Sequence, residues 1–183
     1  MKTHVQNQKS LLDTNTIVQI LKNPLFLNMM KTRYDFDQLS ITSVNEFETE
    51  KITGSDILSC LEKVENSIET IIDIEEISKN DQILGTALLT NLPGFIHYPD
   101  NLILAHAVIR NQILITCDKN LVGAAKAIDH PVINPSLFGI DSPHPAARIS
   151  KELINLIQQL KNQFQKQIES SQNTKKIIWS AFS

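Results

Sequence analysis

Short apolar runs alternate with longer amphipathic stretches along most of the chain. Runs rich in β-branched residues predict buried strands, and residues 68–74 alternate apolar and polar positions as a half-buried strand does. The other predicted strands cover residues 10–12, 39–44, 113–116 and 131–134. Between the strands, apolar residues recur every three or four positions, which predicts helices. Because helices separate the strands, we expect an α/β fold with a central parallel sheet and a helical layer on each face.

Capping residues and helix breakers indicate where the predicted helices begin and end. Asn45 and Glu48 have the spacing of a capping pair, so we expect Asn45 at the N-cap of the helix that follows the second strand. Two later helices are predicted at residues 75–92 and 100–110, the first ended by a Pro-Gly pair and the second opened by a Pro-Asp pair.

The last quarter of the chain has a different character. A proline-containing joint at residues 141–145 precedes an amphipathic helix predicted at residues 146–170. We therefore expect a flexible lead-in at 1–8, one domain at 9–138, this helix, and a tail at 171–183. The helix carries an apolar stripe formed by Ile149, Leu153, Leu156, Ile157, Leu160, Phe164 and Ile168. A stripe of that length indicates a covered surface, and we favour the chain's own core or a homodimer over a foreign partner.

Composition narrows the function classes. The chain has 183 residues, 42% of them hydrophobic, which suits one domain with a substantial core. Its net charge of −3 provides no basic field and argues against a sequence-blind nucleic-acid coat protein. A nuclease stays possible because bound cations can meet the phosphate. Cys60 and Cys117 form no zinc motif, and with no signal-peptide core or bilayer-length apolar run we expect a cytosolic protein.

Four acids stand at predicted element boundaries: Asp13, Glu48, Asp100 and Asp118. The carboxyl ends of parallel strands and the starts of the following helices share one edge of a sheet, where α/β proteins bind ligands. Carboxylates that converge there repel one another unless a cation neutralises them, and their hard oxygens suit Mg²⁺ or Mn²⁺. Helix capping alone explains any one of these acids, and the pattern by itself does not name a reaction.

The sequence around each acid resembles a motif of the PIN-domain nucleases, especially the VapC-like toxins. The matching segments, in the family's order, are Leu-Leu-Asp13-Thr14-Asn15, Ile41-Thr-Ser-Val-Asn-Glu-Phe-Glu48, Asp100-Asn-Leu-Ile-Leu-Ala-His-Ala107 and Ile113-Leu-Ile-Thr116-Cys-Asp118. The family spacing, with the acid four residues after the valine, selects Glu48 over Glu46. The resemblance covers residues 9–135 and implies a PIN-like three-layer sandwich, here with a C-terminal helical extension.

The resemblance also implies an activity, which is Mg²⁺- or Mn²⁺-dependent hydrolysis of RNA by an endoribonuclease whose metal the four acids hold. Such a protein is expected to act on an RNA substrate, to pair with an antitoxin protein if it is a toxin, and to form homodimers. Two alternatives remain, a PIN nuclease that processes RNA without being a toxin, and a catalytically idle PIN-like module that binds RNA or protein.

Several neighbours of the acids are candidates for supporting roles. Asn15 and Thr116 could orient the metal-binding carboxylates, although turn formation and capping explain them equally well. Lys119 and Asn120 could contact an RNA phosphate, with a solvated loop as the simpler interpretation. Tyr98 could touch RNA by stacking, although a packing role in its loop is the more common one.

Overall fold

Seven strands and eight helices make up the described part of the computed structural model, which comprises residues 3–5, 9–36, 38–135 and 149–181. In chain order the elements are β1 (Thr3–Val5), β2 (Ser10–Leu12), α1 (Thr14–Lys22), α2 (Pro24–Arg33), β3 (Tyr34–Phe36), β4 (Leu39–Thr42), α3 (Ser43–Thr53), α4 (Ile57–Ile68), β5 (Ile72–Glu75), α5 (Lys79–Asn91), α6 (Asp100–Arg110), β6 (Ile113–Ile115), α7 (Lys119–Ala127), β7 (Val132–Ile133) and α8 (Lys151–Ala181).

The central sheet has five strands in the order β5-β4-β2-β6-β7, and every neighbouring pair is parallel. Leu11 and Leu12 on β2 point to opposite faces, each into a separate apolar cluster. One cluster is built with α5, α6, α7 and α8, and the other with α1, α2 and α4. The predicted three-layer α/β sandwich with a parallel sheet is confirmed. A separate two-stranded parallel pair joins β1 to β3.

The start of α3 differs from the prediction. Thr42 is the N-cap, and Asn45 is the third helical residue, whose Oδ1 accepts from the Thr42 backbone N–H at 2.7 Å. The prediction of Asn45 as N-cap is therefore wrong, because β4 ends at Thr42 and the helix starts immediately. The edge strand β5 also lies later than predicted, at Ile72–Glu75, and α5 begins only after the Ser78 cap.

The C-terminal helix α8 begins at Lys151 and continues to Ala181, so it includes most of the segment expected to be a tail. Leu153 and Leu160 are buried in the cluster below α5 and α6, and Phe164 packs against it. The chain's own core thus covers the apolar stripe at these positions. The predicted joint at residues 141–145 lies outside the described residues. Within the described ranges, no helix combines the length and apolarity needed to cross a membrane.

Packing of α8 gives a stability prediction. Leu160 is 3% exposed, so Leu160→Ala should leave a cavity and lower the free energy of unfolding by about 3 kcal/mol. Gln163, exposed on the same helix, is the matched control, and Gln163→Ala should change it by less than about 0.5 kcal/mol. Urea denaturation of both variants measures the difference. Equal midpoints for the two would show that α8 does not contribute to the folded core.

Candidate active site

The four acids lie where the topology brings strand ends and helix starts together. Asp13 follows β2 directly, and Asp118 follows the adjacent strand β6, to which β2 is paired through Leu12 and Ile115. Glu48 is on α3, in its second turn rather than its first, and Asp100 is the first residue of α6. Because all five strands are parallel, these positions share the carboxyl edge of the sheet. We call this set the carboxylate site.

Asp13 is the most buried member of the site, with 1% of its surface exposed. The Thr116 hydroxyl donates to its Oδ2 at 2.8 Å, whereas its buried Oδ1 accepts no hydrogen bond from the described residues. Asp13 stands at the N-cap of α1 but makes no side-chain cap hydrogen bond. Its pKa is raised to about 7, chiefly by burial and also by the charges of Asp100 and Glu48, and the Thr116 hydrogen bond opposes this shift.

Asp100 and Asp118 form the other side of the site. Burial raises the pKa of Asp100 to about 6, and the charges of Asp118 and Glu48 act in the same direction. The Asp118 Oδ1 accepts from the backbone N–H groups of Asn120 at 2.7 Å and Leu121 at 3.0 Å. Capping of α7 therefore occupies one oxygen of this carboxylate. Asp100 thus interacts electrostatically with the other three acids, and Asp13 also interacts with Glu48.

A chain of buried hydrogen bonds positions Glu48. The Thr14 hydroxyl donates to Glu48 Oε2 at 2.7 Å, and Asn45 Nδ2 donates to the Thr14 hydroxyl at 2.9 Å. Asn45 is in turn fixed by the hydroxyl of Thr42, which donates to its Oδ1 at 2.7 Å. The sequence analysis missed Thr14 and Asn45 in this role, although their types, hydroxyl and amide, are those that orient carboxylates. Glu46 is exposed to solvent.

The predicted supporting residues fall into two groups. Thr116 is buried and connects two acids, since its hydroxyl donates to Asp13 and accepts from the Asp118 backbone N–H at 3.0 Å. Asn15, by contrast, is exposed. It lines a recess of ≈ 470 Å³, which we call the Asp118 recess, and the other lining residues are Gln19, Cys117, Asp118, Lys119 and Asn120. The structure thus places Lys119 and Asn120 beside one acid of the site.

The charge balance of the carboxylate site is unusual within this chain. The ion pairs of the described residues include none between a lysine or arginine and any of its four acids. A second group of acids, Glu75 and Asp81, is by contrast neutralised by Lys9 and Arg110 at 2.7–3.4 Å. The burial of acids without a cationic partner costs free energy, so the carboxylate site is suited to a bound cation.

The donor set fits a hard divalent cation. It offers carboxylate oxygens, among them the buried and unpaired Asp13 Oδ1. In the described residues, no three Asp, Glu, His or Cys side chains are grouped closely enough to hold an ion directly. Mg²⁺ commonly uses one or two carboxylates and keeps several waters, so a looser group of acids is compatible with it.

Comparison with known proteins supports the fold. No protein-family model and no curated protein matches the chain. Among solved structures, the chain is similar to a toxin-antitoxin complex from Klebsiella pneumoniae, with TM-score 0.51 and 21% identity over 69% of this chain and 97% of the matched chain. It is also similar to VapBC-1 from nontypeable Haemophilus influenzae, with TM-score 0.53 and 19% identity over 70% and 99% of the two chains. The resemblance to VapC-like PIN domains is thus confirmed at the level of the fold, a PIN-like α/β sandwich.

Proposed function

We propose that this protein is a Mg²⁺- or Mn²⁺-dependent endoribonuclease that hydrolyses RNA phosphodiester bonds. The observation that supports this most strongly is the carboxylate site itself. Four acids lie at the carboxyl edge of a PIN-like sheet, and the charges of neighbouring acids raise the pKa of Asp13 and Asp100 in addition to burial. A cation held by these acids would relieve their repulsion and supply positive charge where no described lysine or arginine forms an ion pair with them.

Each residue of the site has a role in this proposal. A bound divalent cation lowers the pKa of a coordinated water and offsets negative charge at the scissile phosphate. Asp13, Glu48, Asp100 and Asp118 would hold the cation, partly through the water molecules that Mg²⁺ retains when it binds few carboxylates directly. Thr116 orients Asp13 through its 2.8 Å hydrogen bond.

The remaining residues support the site or bind the substrate. Thr14 orients Glu48 through its 2.7 Å hydrogen bond. The Asp118 recess, with Asn15, Lys119 and Asn120 in its wall, is placed to receive the RNA backbone beside the cation.

The structures to which the chain is similar support a more specific role. Because both are toxin–antitoxin assemblies, we propose that this chain is the toxin of a type II pair and is neutralised by an antitoxin protein, with homodimer formation as a further expectation. An RNA-processing enzyme would share the site but not the partner. Growth arrest on expression of the chain alone, relieved by the product of a neighbouring small gene, separates the toxin from the processing enzyme.

The test of the activity uses two glutamates of α3. Glu48→Gln should lower the rate of RNA cleavage by ~100-fold or more, because it removes a charge that faces Asp13 and Asp100. Glu46→Gln should leave the rate within about twofold, since two residues on a helix lie ~200° apart and Glu46 faces solvent. Cleavage of a labelled single-stranded RNA with Mg²⁺, Mn²⁺ or EDTA measures all three proteins.

Two results would contradict the proposal. If the wild type still cleaves RNA in EDTA, the proposed metal dependence is wrong. Absence of cleavage with either metal, by a protein with a normal melting transition, would favour the idle PIN-like module instead. A loss confined to Glu46→Gln would show that the register assigned to α3 is wrong.

A further inference from the structure

A second concave surface adjoins the carboxylate site and shares no lining residue with the Asp118 recess. It is a groove of ≈ 690 Å³ between α3 and the loop before α6, and we call it the aromatic groove. Its lining residues are Ser43, Val44, Phe47, Glu48, Lys51, Ile52, Tyr98 and Pro99. Glu48 belongs to both the groove and the carboxylate site, and Pro99 immediately precedes Asp100. The groove therefore opens directly onto the acids.

Two aromatic side chains in this groove are unusually exposed. Phe47 is 73% exposed and Tyr98 is 74% exposed, whereas most large apolar side chains among the residues whose burial the structure describes are not exposed. Neither ring packs into the two core clusters. The packing role that sequence favoured for Tyr98 is thus not seen in the structure. Exposed apolar surface of this kind beside polar groups marks a binding surface.

The chemistry of the groove favours a nucleobase over a protein segment as its occupant. Bases that are not paired stack on aromatic faces, and single-stranded RNA is recognised in this way. Lys51 lines the same wall and offers a cation to the backbone of such a strand. The continuity of the groove with the acids places its occupant next to the phosphate that the proposed enzyme cleaves.

We infer that the aromatic groove binds an unpaired base of single-stranded RNA, which stacks on Phe47 and Tyr98 while an adjacent phosphate lies at the carboxylate site. This inference rests on the proposed function and adds a substrate class and two binding residues to it. The RNA strand would run from the aromatic groove across the acids to the Asp118 recess. The groove would then contact a base, and the recess would contact the RNA backbone.

Leucine substitutions test stacking because they keep apolar volume and remove the flat ring. Phe47→Leu and Tyr98→Leu should each raise KM for single-stranded RNA by ~10-fold with kcat within about twofold, the range expected for one lost stacking contact. Tyr98→Phe keeps the ring and should resemble the wild type. Leu58→Ala is the surface control, since Leu58 is 67% exposed on α4 and does not line the groove.

Two further measurements distinguish stacking from a structural effect. The first measurement uses a series of oligoribonucleotides, each with one abasic position. At one position near the cut, loss of the base should lower kcat/KM of the wild type by ~10-fold but should not lower kcat/KM of Phe47→Leu any further. Binding can be measured without cleavage when Ca²⁺ replaces Mg²⁺ or Mn²⁺. Under these conditions the wild type should quench the fluorescence of 2-aminopurine in a single-stranded RNA, and Phe47→Leu should quench it much less.

The outcomes separate this inference from the proposed function. Normal cleavage with unchanged KM and quenching in both leucine variants would overturn the inference alone. Quenching that depends on Phe47 without any cleavage would support it and overturn the nuclease. If the wild type neither binds nor cleaves RNA, both fail. A change of molecular mass by light scattering in the leucine variants would assign the groove to a protein interface and overturn the inference.

Discussion

Asp13→Asn should abolish RNA cleavage and at the same time stabilise the metal-free protein. The activity should fall by on the order of 10³-fold, because the variant loses the most buried carboxylate of the site and with it much of the cation's electrostatic hold. The stability should rise because the side chain no longer carries a charge that burial and two neighbouring acids oppose. A residue whose removal has opposite effects on rate and stability is typical of functional sites.

The stabilisation should depend on pH in a defined direction. The pKa of Asp13 is raised from 3.8 to about 7, so between these values the folded state holds a proton that the unfolded state has released. The metal-free wild type therefore loses stability as pH rises from about 4 to about 7, and the loss is complete above that range. At pH 8 in EDTA, Asp13→Asn should unfold roughly 5 °C higher than the wild type, and near pH 4 the difference should disappear.

Asp118→Asn is the matched comparison for this prediction. It should also be inactive, but the Asp118 carboxylate caps the start of α7, where a negative charge is favourable, so removal of that charge should give no gain in stability. Thermal unfolding at pH 4, 6 and 8 and a cleavage assay with Mn²⁺ cover both variants. An Asp13→Asn protein that is inactive yet less stable than the wild type at pH 8 would contradict the prediction. It would show that the Asp13 carboxylate stabilises the metal-free fold instead of destabilising it.

Sequence could predict the strands that are buried on both faces but not the edge of the sheet. β2 lies at Ser10–Leu12 as predicted, because all three residues are buried and the run has no polar break. β5 was predicted too early, since Ile71 and Ile74 are exposed and only Ile72 is well buried. The position of this edge strand depends mainly on its pairing with β4. The alternation of apolar and polar residues therefore does not predict where the strand begins and ends.

Asp13, Asp100 and Asp118 could be selected from sequence because each stands next to a strand end or helix start. Glu48, in the second turn of α3, was selected by the spacing of the family motif. The groups that orient the acids could not be selected from sequence, because the bond from Thr14 to Glu48 joins residues 34 positions apart. The same limit applies to His106, whose partners Glu75 and Asp81 lie on β5 and just inside α5. The local sequence pattern predicts on which face of a helix or strand a residue lies. The pairing of polar side chains that are distant in sequence depends instead on how the helices pack.

The second prediction concerns these distant groups, which form a buried ion cluster of Lys9, Glu75, Asp81, His106 and Arg110. Asp81 is fully buried and accepts from Arg110 Nη1 at 2.7 Å and from the Ser78 backbone N–H at 2.7 Å, and its Oδ2 lies 3.3 Å from His106 Nδ1. Asp81→Ala would leave the Arg110 guanidinium and the buried His106 imidazole with Glu75 as their remaining acidic partner. We expect it to lower the free energy of unfolding by about 3–5 kcal/mol, or ~10 °C in melting temperature.

An exposed acid with the same local role provides the control. Asp56 caps α4 by accepting from the Ser59 backbone N–H at 2.9 Å, and no ion pair among the described residues includes it, so Asp56→Ala should lower stability much less than Asp81→Ala. Burial alone would raise the pKa of Asp81, but hydrogen bonds from His106, Arg110 and Ser78 outweigh it and hold that pKa well below its usual range. The stability that Asp81 contributes is therefore present above pH ~4 and is lost as the solution is acidified below it.

Urea denaturation at pH 7 and pH 3 measures this dependence. The difference in the free energy of unfolding between the wild type and Asp81→Ala should be large at pH 7 and smaller at pH 3. Equal losses for Asp56→Ala and Asp81→Ala at pH 7 would mean that the cluster adds nothing beyond a helix cap.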